Sequence, residues 1–398
     1  MNDTAEIYWD PFDEELDSNP HGVWRRMRDE QPVYRNDRYD FWALSRFADV
    51  ERGHVQPGVY SSAHGTVLEL MGPHMMESGQ IIFMDPPDHT TLRSLVSRAF
   101  TPRRVGELEG RIREECVSLL DDLAGEASFD YIQDFAAQLP SRVISMLVGV
   151  PPEDRESKRK IIDQVFHIEP GVGMINDISF AAQIEMYQYL EGLATKRLAD
   201  PQDDLLSALC FAEITGDDGT ARRLTMAEVV SFANLLYSAG TETVGRLLGN
   251  AAVLLAENPD QRAILVEHPE VIPNGIEELL RIEAPSPVQA RWTTTEQTIH
   301  GVTIPAESKV LLLTGSAGRD DRVFEDPDRL DVRRNFQHHV AFGYGIHFCV
   351  GAALARMEGR IALEETFHRY PTWDIDPDHV VRQHTSTVRG YSEVRVLV

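Results

Sequence analysis

The chain is poor in the features that would set it apart from an ordinary globular fold. Its 398 residues contain three cysteines, Cys116, Cys210 and Cys349. That is too few and too scattered for a disulfide framework or a zinc site. No apolar run reaches the ~18 residues needed to cross a bilayer. The acidic start, MNDTAEIYWDPFDEELDSNP, lacks a basic, apolar export signal. Both features point to a cytoplasmic protein without a membrane anchor. Basic charge is scarce: 38 Lys and Arg face 64 Asp and Glu, a formal charge of −26. Repulsion of that size excludes a general binder of nucleic acid or anionic membrane. Repeats, low-complexity blocks and long Gly/Ser linkers are missing, so one domain over residues 1–398 is expected. The glycine fingerprint of a dinucleotide fold is missing too. A hydrophobic fraction of 42% over this length permits a large core.

What the chain does have is concentrated near its C-terminal end. There FGYGIHFCVG, Phe342 to Gly351, sets Cys349 among glycines, directly ahead of the helical stretch AALARMEGRIALEETF. Glycines let a backbone approach a flat ligand closely. A helix N-terminus beside a cysteine favours thiolate over thiol. On these residues alone the stretch is either a mount for one anionic sulfur at a metal centre or a turn around a small buried thiol. Cys116 and Cys210 fall inside apolar helical patterns and read as core.

Periodicity and breaker residues predict a mainly α chain with a small β region, an α+β class. A helix is expected over 20–30, strands around Val33 and Phe41, and a helix capped by Ser45. Amphipathic helices follow over 107–123, 135–147, 153–166 and 178–198. Between Tyr60 and Phe83 the pattern dissolves into a loop, and Met71, Met75, Met76 and Met84 suit either a pocket wall or a mobile surface. The EPGVG break from Glu169, between helices bearing Phe166, Phe180, Met186 and Tyr187, is either a lid or ordinary packing.

Thr225 to Ala256 reads as one helix, 32 residues in length, about 48 Å at 1.5 Å per residue. Its centre, YSAGTETVG, places Ala239, Gly240, Glu242 and Thr243 where an apolar interior is expected. That is either a groove with a proton relay or a kink with a threonine bonded back to a carbonyl. In DPPDHTTLRSLVSRAF, His89 and Arg93 share one helix face and suit carboxylates, or simply face solvent. Glu278 and Arg281 in NGIEELLRIEAP are placed to pair.

Four motifs in this order, D-P-P-x-H-x-x-x-R, A-G-x-E-T, E-x-x-R and F-G-x-G-x-H-x-C-x-G, resemble those of the cytochrome P-450 family, in its soluble bacterial form. The resemblance implies the cytochrome P-450 fold, with haem b between the long helix and the cysteine loop. It implies Cys349 as iron ligand, and His89, Arg93, Arg291 and His347 as propionate contacts. Phe342, Gly351 and Ala239 would lie against the cofactor, and Gly240, Glu242 and Thr243 would serve oxygen activation. Arg329, in FEDPDRLD, would join Glu278 and Arg281 in a buried network. Leu330 stands where the family usually has phenylalanine, and Gly318 where asparagine is common. The substrate pocket would involve Met84, Phe166, Ala239, Val288, Gln289, Thr387 and Val388, the last two within a Thr385–Val388 wall.

The implied activity is a monooxygenase that inserts one atom of O2 into a C–H bond of a mostly apolar small molecule: a steroid, fatty acid, terpenoid, aromatic or polyketide. No flavin- or nicotinamide-binding segment follows Val398, so electrons from NAD(P)H are expected through a ferredoxin reductase and a ferredoxin. Between Asp85 and Arg113 six arginines face four acids. If that stretch borders the thiolate side, it offers a basic docking site, extended by Arg356 and Arg360. Two rival readings are a peroxide-driven haem peroxygenase, which would not need the Glu242–Thr243 pair, and a non-catalytic haem-based sensor.

Overall fold

In the computed structural model, the described residues are 6–72, 79–169, 172–215, 220–383, 385 and 387–398; Met75 and Met76 lie outside them. The helices that frame the site are, in chain order, α1 (His21–Glu30), α2 (Phe47–Val55), α3 (Asp88–Ala99), α4 (Glu109–Asp121) and α5 (Gln138–Val148). They continue with α6 (Arg155–Val165), α7 (Asp177–Ala199), α8 (Met226–Glu257), α9 (Ile272–Ile282) and α10 (Ala352–Arg369). The strands of the two larger sheets are β1 (Val33–Asn36), β2 (Phe41–Leu44), β3 (Tyr60–Ser61), β4 (Ser128–Asp130), β5 (Val288–Thr293), β6 (Lys309–Leu313), β7 (Asp374–Gln383) and β8 (Gly390–Leu397).

The long helix α8 starts where its sequence caps it. Thr225 accepts from the Glu228 N–H at 3.3 Å, and Glu228 accepts from the Thr225 N–H at 2.7 Å. This reciprocal pair satisfies two donors that a helix start leaves free. Of the 32 residues, 22 are buried, because α8 runs against α5, α7 and α10 rather than along a surface. Phe232, Leu248 and Ala251 meet Ile112, Leu120, Phe135 and Leu139 in the main apolar core. Each large side chain buried there contributes about 1.5–3 kcal/mol. The α8 pattern in sequence is apolar nearly all round, as a central helix requires.

The first sheet has the order β1-β2-β6-β5-β3; β6 runs parallel to β2, and the other pairings are antiparallel. Register pairs Val310 with Arg291 and Leu311 with Ala290. Strand alternation then sends Ala290 and Leu311 to one apolar cluster and Val310 to another. The second sheet, β7-β8-β4, lies against α8. Ser45 does not cap α2. The helix starts one residue later, and an Asp320 carboxylate from a distant loop accepts from the Phe47 N–H at 2.9 Å. Among the described residues, no helix is long and apolar enough to cross a membrane.

Candidate active site

The cysteine loop is held by backbone geometry that only glycine meets cheaply. Gly343 and Gly345 have φ of 68° and 69°, in the left-handed region that costs other residues strain. A Cβ on Gly345 would also lie 2.8 Å from the His54 carbonyl oxygen. The turn lets the Cys349 N–H donate to the Phe342 carbonyl at 2.9 Å, and α10 starts three residues later. Burial pushes the Cys349 thiol up, opposed by the Gly351 N–H and by the charges of Arg93 and Arg356. The local field alone therefore does not make the thiolate expected from the helix N-terminus. A coordinated metal ion deprotonates such a thiol outright.

Cys349 lines a largely apolar cavity whose wall also includes Ala239, Gly240, Glu242 and Thr243 of α8. Along the buried middle of α8, accessibility reappears at Ser238–Gly240 and at Thr243. The helix is unbroken there. Thr243 Oγ1 donates to the Ala239 carbonyl at 3.0 Å. Gly240 serves packing as well as space, since a Cβ there would lie 3.0 Å from Ile144 Cδ1. Glu242 is buried and ion-paired with Arg246, whose Nε donates to Glu242 Oε1 at 2.8 Å. Arg246 also donates to the Tyr391 carbonyl and to Gln383.

Cationic and imidazole groups gather around Arg291. Its guanidinium is fully buried; it donates to the Ala290 carbonyl at 2.7 Å, and desolvation pulls it down to about 10. His347 is pulled down to about 3 by burial, then by Arg291 and His89. The His89 ring lies 4.2 Å from that of His347, behind it rather than on the cavity wall, and both of its nitrogens lack a partner. Arg93 donates to the Phe348 carbonyl. The field of the Asp85 carboxylate reaches Arg291, but Asp85 is taken up by Ser61 and Ser62. Orphaned buried donors beside an open cavity are costly unless a ligand satisfies them. A flat group that carries carboxylates, and a metal for Cys349 to ligate, fits that donor set.

Other expected positions divide. Phe342, Gly351, Phe166, Val288, Gln289, Thr387 and Val388 line the cavity. Met84 does not; it packs, partly buried, against the main core. Phe180 faces outward at 67% exposure, and Pro170 and Gly171 of the EPGVG break lie outside the described residues. Thr385 turns inward, accepting from the Val388 N–H at 2.8 Å, and Ser386 lies outside the described residues. Glu278 and Arg281 form a fully buried pair at 2.6 and 2.8 Å.

The third member of that pair's network is Arg334, not Arg329. Arg334 Nε donates to Glu278 Oε1 at 3.0 Å, whereas Arg329 is 65% exposed and reaches Asp331. The chain reverses at Asp331, whose N–H donates to Glu278 at 3.0 Å, and this brings the later arginine inward. Arg329 contributes its carbonyl, which accepts from Arg334 at 2.8 Å. Gly318 is needed because a Cβ would lie 2.2 Å from the Arg281 carbonyl oxygen. The basic stretch is also less open than expected. Arg113 pairs with Glu364 and Glu365, Arg360 with Glu109 and Glu364, and Arg356 with Glu277. Exposed Arg104 and Arg111 have no ion pair among the described residues. Sequence reading missed His54 and Glu358, which both line the cavity.

A cysteine loop, a central helix and a ring of anion-binding donors around one cavity define a haem-thiolate oxygenase. The Cytochrome P450 family model matches residues 181–390. The chain is 40% identical to putative cytochrome P450 123 of Mycobacterium tuberculosis over 397 residues, covering 99% of this chain and 97% of the relative. It is 38% identical to vitamin D(3) 25-hydroxylase of Pseudonocardia autotrophica, covering 95% and 93%. The structure of cytochrome P450 CYP109Q5 from Chondromyces apiculatus superposes with a TM-score of 0.88 at 34% identity, covering 98% of this chain and 97% of that one. The chain belongs to the cytochrome P450 family. It is a haem-thiolate monooxygenase, and its cofactor is iron protoporphyrin IX.

Proposed function

We propose that this enzyme hydroxylates a steroid-like, mostly apolar small molecule carrying a neutral hydrogen-bonding group, with Cys349 as the iron ligand. One observation carries the reading: Cys349, residues of the Ala239–Thr243 stretch and the unpartnered imidazoles of His54 and His347 border the same cavity. Bound haem supplies the one-electron and dioxygen chemistry, and thiolate ligation favours O–O cleavage. Arg291, His347 and Arg93 on the cavity wall, with His89 behind His347, would hold its carboxylates. Thr243 exchanges its bond to the Ala239 carbonyl for one into the cavity and passes a proton there. Glu242 is suited to resupply that proton, because it also lines a second, smaller cavity with Arg159, Asp163, Arg246 and Gln383. Asp163 is half exposed, so that side communicates with solvent.

Besides the charged side chains given to cofactor and proton, the buried Glu358, and Thr66, the remaining wall is apolar apart from one corner. There Gln289 Nε2 donates to Ser286 Oγ at 2.8 Å, and Ser286 donates to the Thr387 carbonyl at 3.2 Å. Such a corner orients a hydroxyl or carbonyl and leaves a carboxylate or ammonium unpaired. The relative named for vitamin D(3) hydroxylation supports the same class. Electrons come from NAD(P)H through a ferredoxin reductase and a ferredoxin, whose acidic surface is suited to Arg104 and Arg111. Turnover with these partners tests the reading, with vitamin D(3) as first probe and a lipophilic library behind it. Hydroxylated product with substrate-dependent oxygen uptake is expected. No product and no such uptake across the library would overturn it.

A further inference from the structure

His54 sits in the last turn of α2, only 3% exposed, and neither ring nitrogen has a hydrogen-bond partner. It lines the cavity together with Arg291, His347 and Arg93. The cysteine loop closes over it: a Cβ on Gly343 would lie 3.8 Å from His54 Cε1, and Gly345 sits against the His54 carbonyl. The acids of its own helix are committed elsewhere, Asp49 to His300 at 2.7 Å and Glu51 to His338 at 2.6 Å. Arg52 donates to Gln56. The charge that acts on His54 is that of Arg291, which cannot accept a hydrogen bond.

Nothing in the α2 pattern sets this imidazole apart from a core histidine. Its surroundings do: a donor facing other donors, all bordering one cavity, lacks only an anionic acceptor. Building on the haem-thiolate reading above, we propose that His54 is a further cofactor-holding residue, donating a hydrogen bond to a carboxylate of the haem from the α2 side. Burial and the Arg291 charge hold its ring in the neutral form, down to about 3. One nitrogen therefore donates, and the second remains an acceptor. The α2 helix thereby joins α3, β5 and the cysteine loop in fixing how the cofactor lies.

The test uses haem-loaded protein carrying His54→Leu or His54→Gln, beside wild type. Haem release is followed by transfer to excess apomyoglobin, and the propionate-bending band by resonance Raman. H54L is expected to release haem roughly tenfold faster, the scale of one hydrogen bond to a charged group, and to shift the band. H54Q, which keeps a donor, is expected to return both towards wild type. If H54L fails to take up haem, His54→Met replaces it against H54Q. Unchanged release and an unshifted band in H54L, or equal loss in H54Q and the apolar variant, would overturn the proposal. The carbon-monoxide spectrum of the wild type tests the haem-thiolate reading separately, so failure of one is distinguishable from failure of the other.

Discussion

Removing the side chain of Arg334 should destabilise the fold far more than removing that of Arg329. Arg334 is 9% exposed and donates to Glu278, which is fully buried. It also donates to the carbonyls of Asp326 and Arg329, at 3.1 and 2.8 Å. Arg334→Leu leaves Glu278 with Arg281 and one backbone N–H but strips a charge partner from a dry site. Breaking a buried pair this way costs about 3–5 kcal/mol. Arg329 pairs with Asp331 at 65% exposure, where an ion pair contributes about 0–1 kcal/mol. An unfolding entropy of ~2.1 cal/mol/K per residue gives a chain of 398 residues about 0.8 kcal/mol per degree. The expected fall in melting temperature is therefore about 4–6 °C for R334L and about 1 °C or less for R329L. Calorimetry at matched haem content reads both. Equal falls, or an R334L melt within a degree of wild type, would refute the reasoning.

Thr243→Ala should leave cofactor reduction largely intact while product formed per NAD(P)H falls several-fold, read by paired product and hydrogen peroxide assays; unchanged coupling would contradict the relay. Burial pushes the Glu358 carboxyl up to about 8, whereas an unfolded glutamate titrates near ~4.3. The folded chain keeps a proton that the unfolded chain releases, so stability is full below ~4.3 and falls by roughly 5 kcal/mol as pH rises through about 8. Glu358→Gln should flatten the melting temperature between those limits; a wild-type slope would contradict the assignment. Replacing Arg104 and Arg111 by Glu should raise the KM for ferredoxin several-fold at low salt, with the difference shrinking as salt rises. A salt-independent change, or none, would move the docking site elsewhere.

Features set by short spacing could be read from the chain. The Phe342–Gly351 loop, the A-G-x-E-T segment and the Glu278–Arg281 pair each depend on residues within one turn or one loop. The fold class was equally legible, because α8 announces itself by length and near-uniform apolarity. What escaped was decided by distant chain. Arg334 replaced Arg329 because the backbone reverses at Asp331 around an acceptor on α9. The basic stretch was muted by Glu364 and Glu365, which α10 brings to Arg113 from about 250 positions away. His54 looked like any histidine on an amphipathic helix until the loop at Gly343–Gly345 closed over it. Met84 suits a pocket wall by its chemistry and by the family pattern, yet it packs against the core and does not line the cavity.

The account stands on Cys349 as the ligand that makes this a thiolate enzyme. The most direct measurement is the carbon-monoxide difference spectrum of reduced, haem-loaded protein, for the wild type and Cys349→Ala. The wild type should give the red-shifted Soret band of thiolate-ligated haem, and the variant should lose it. A folded, haem-loaded wild type without that band, or a variant that keeps it, would contradict the central claim.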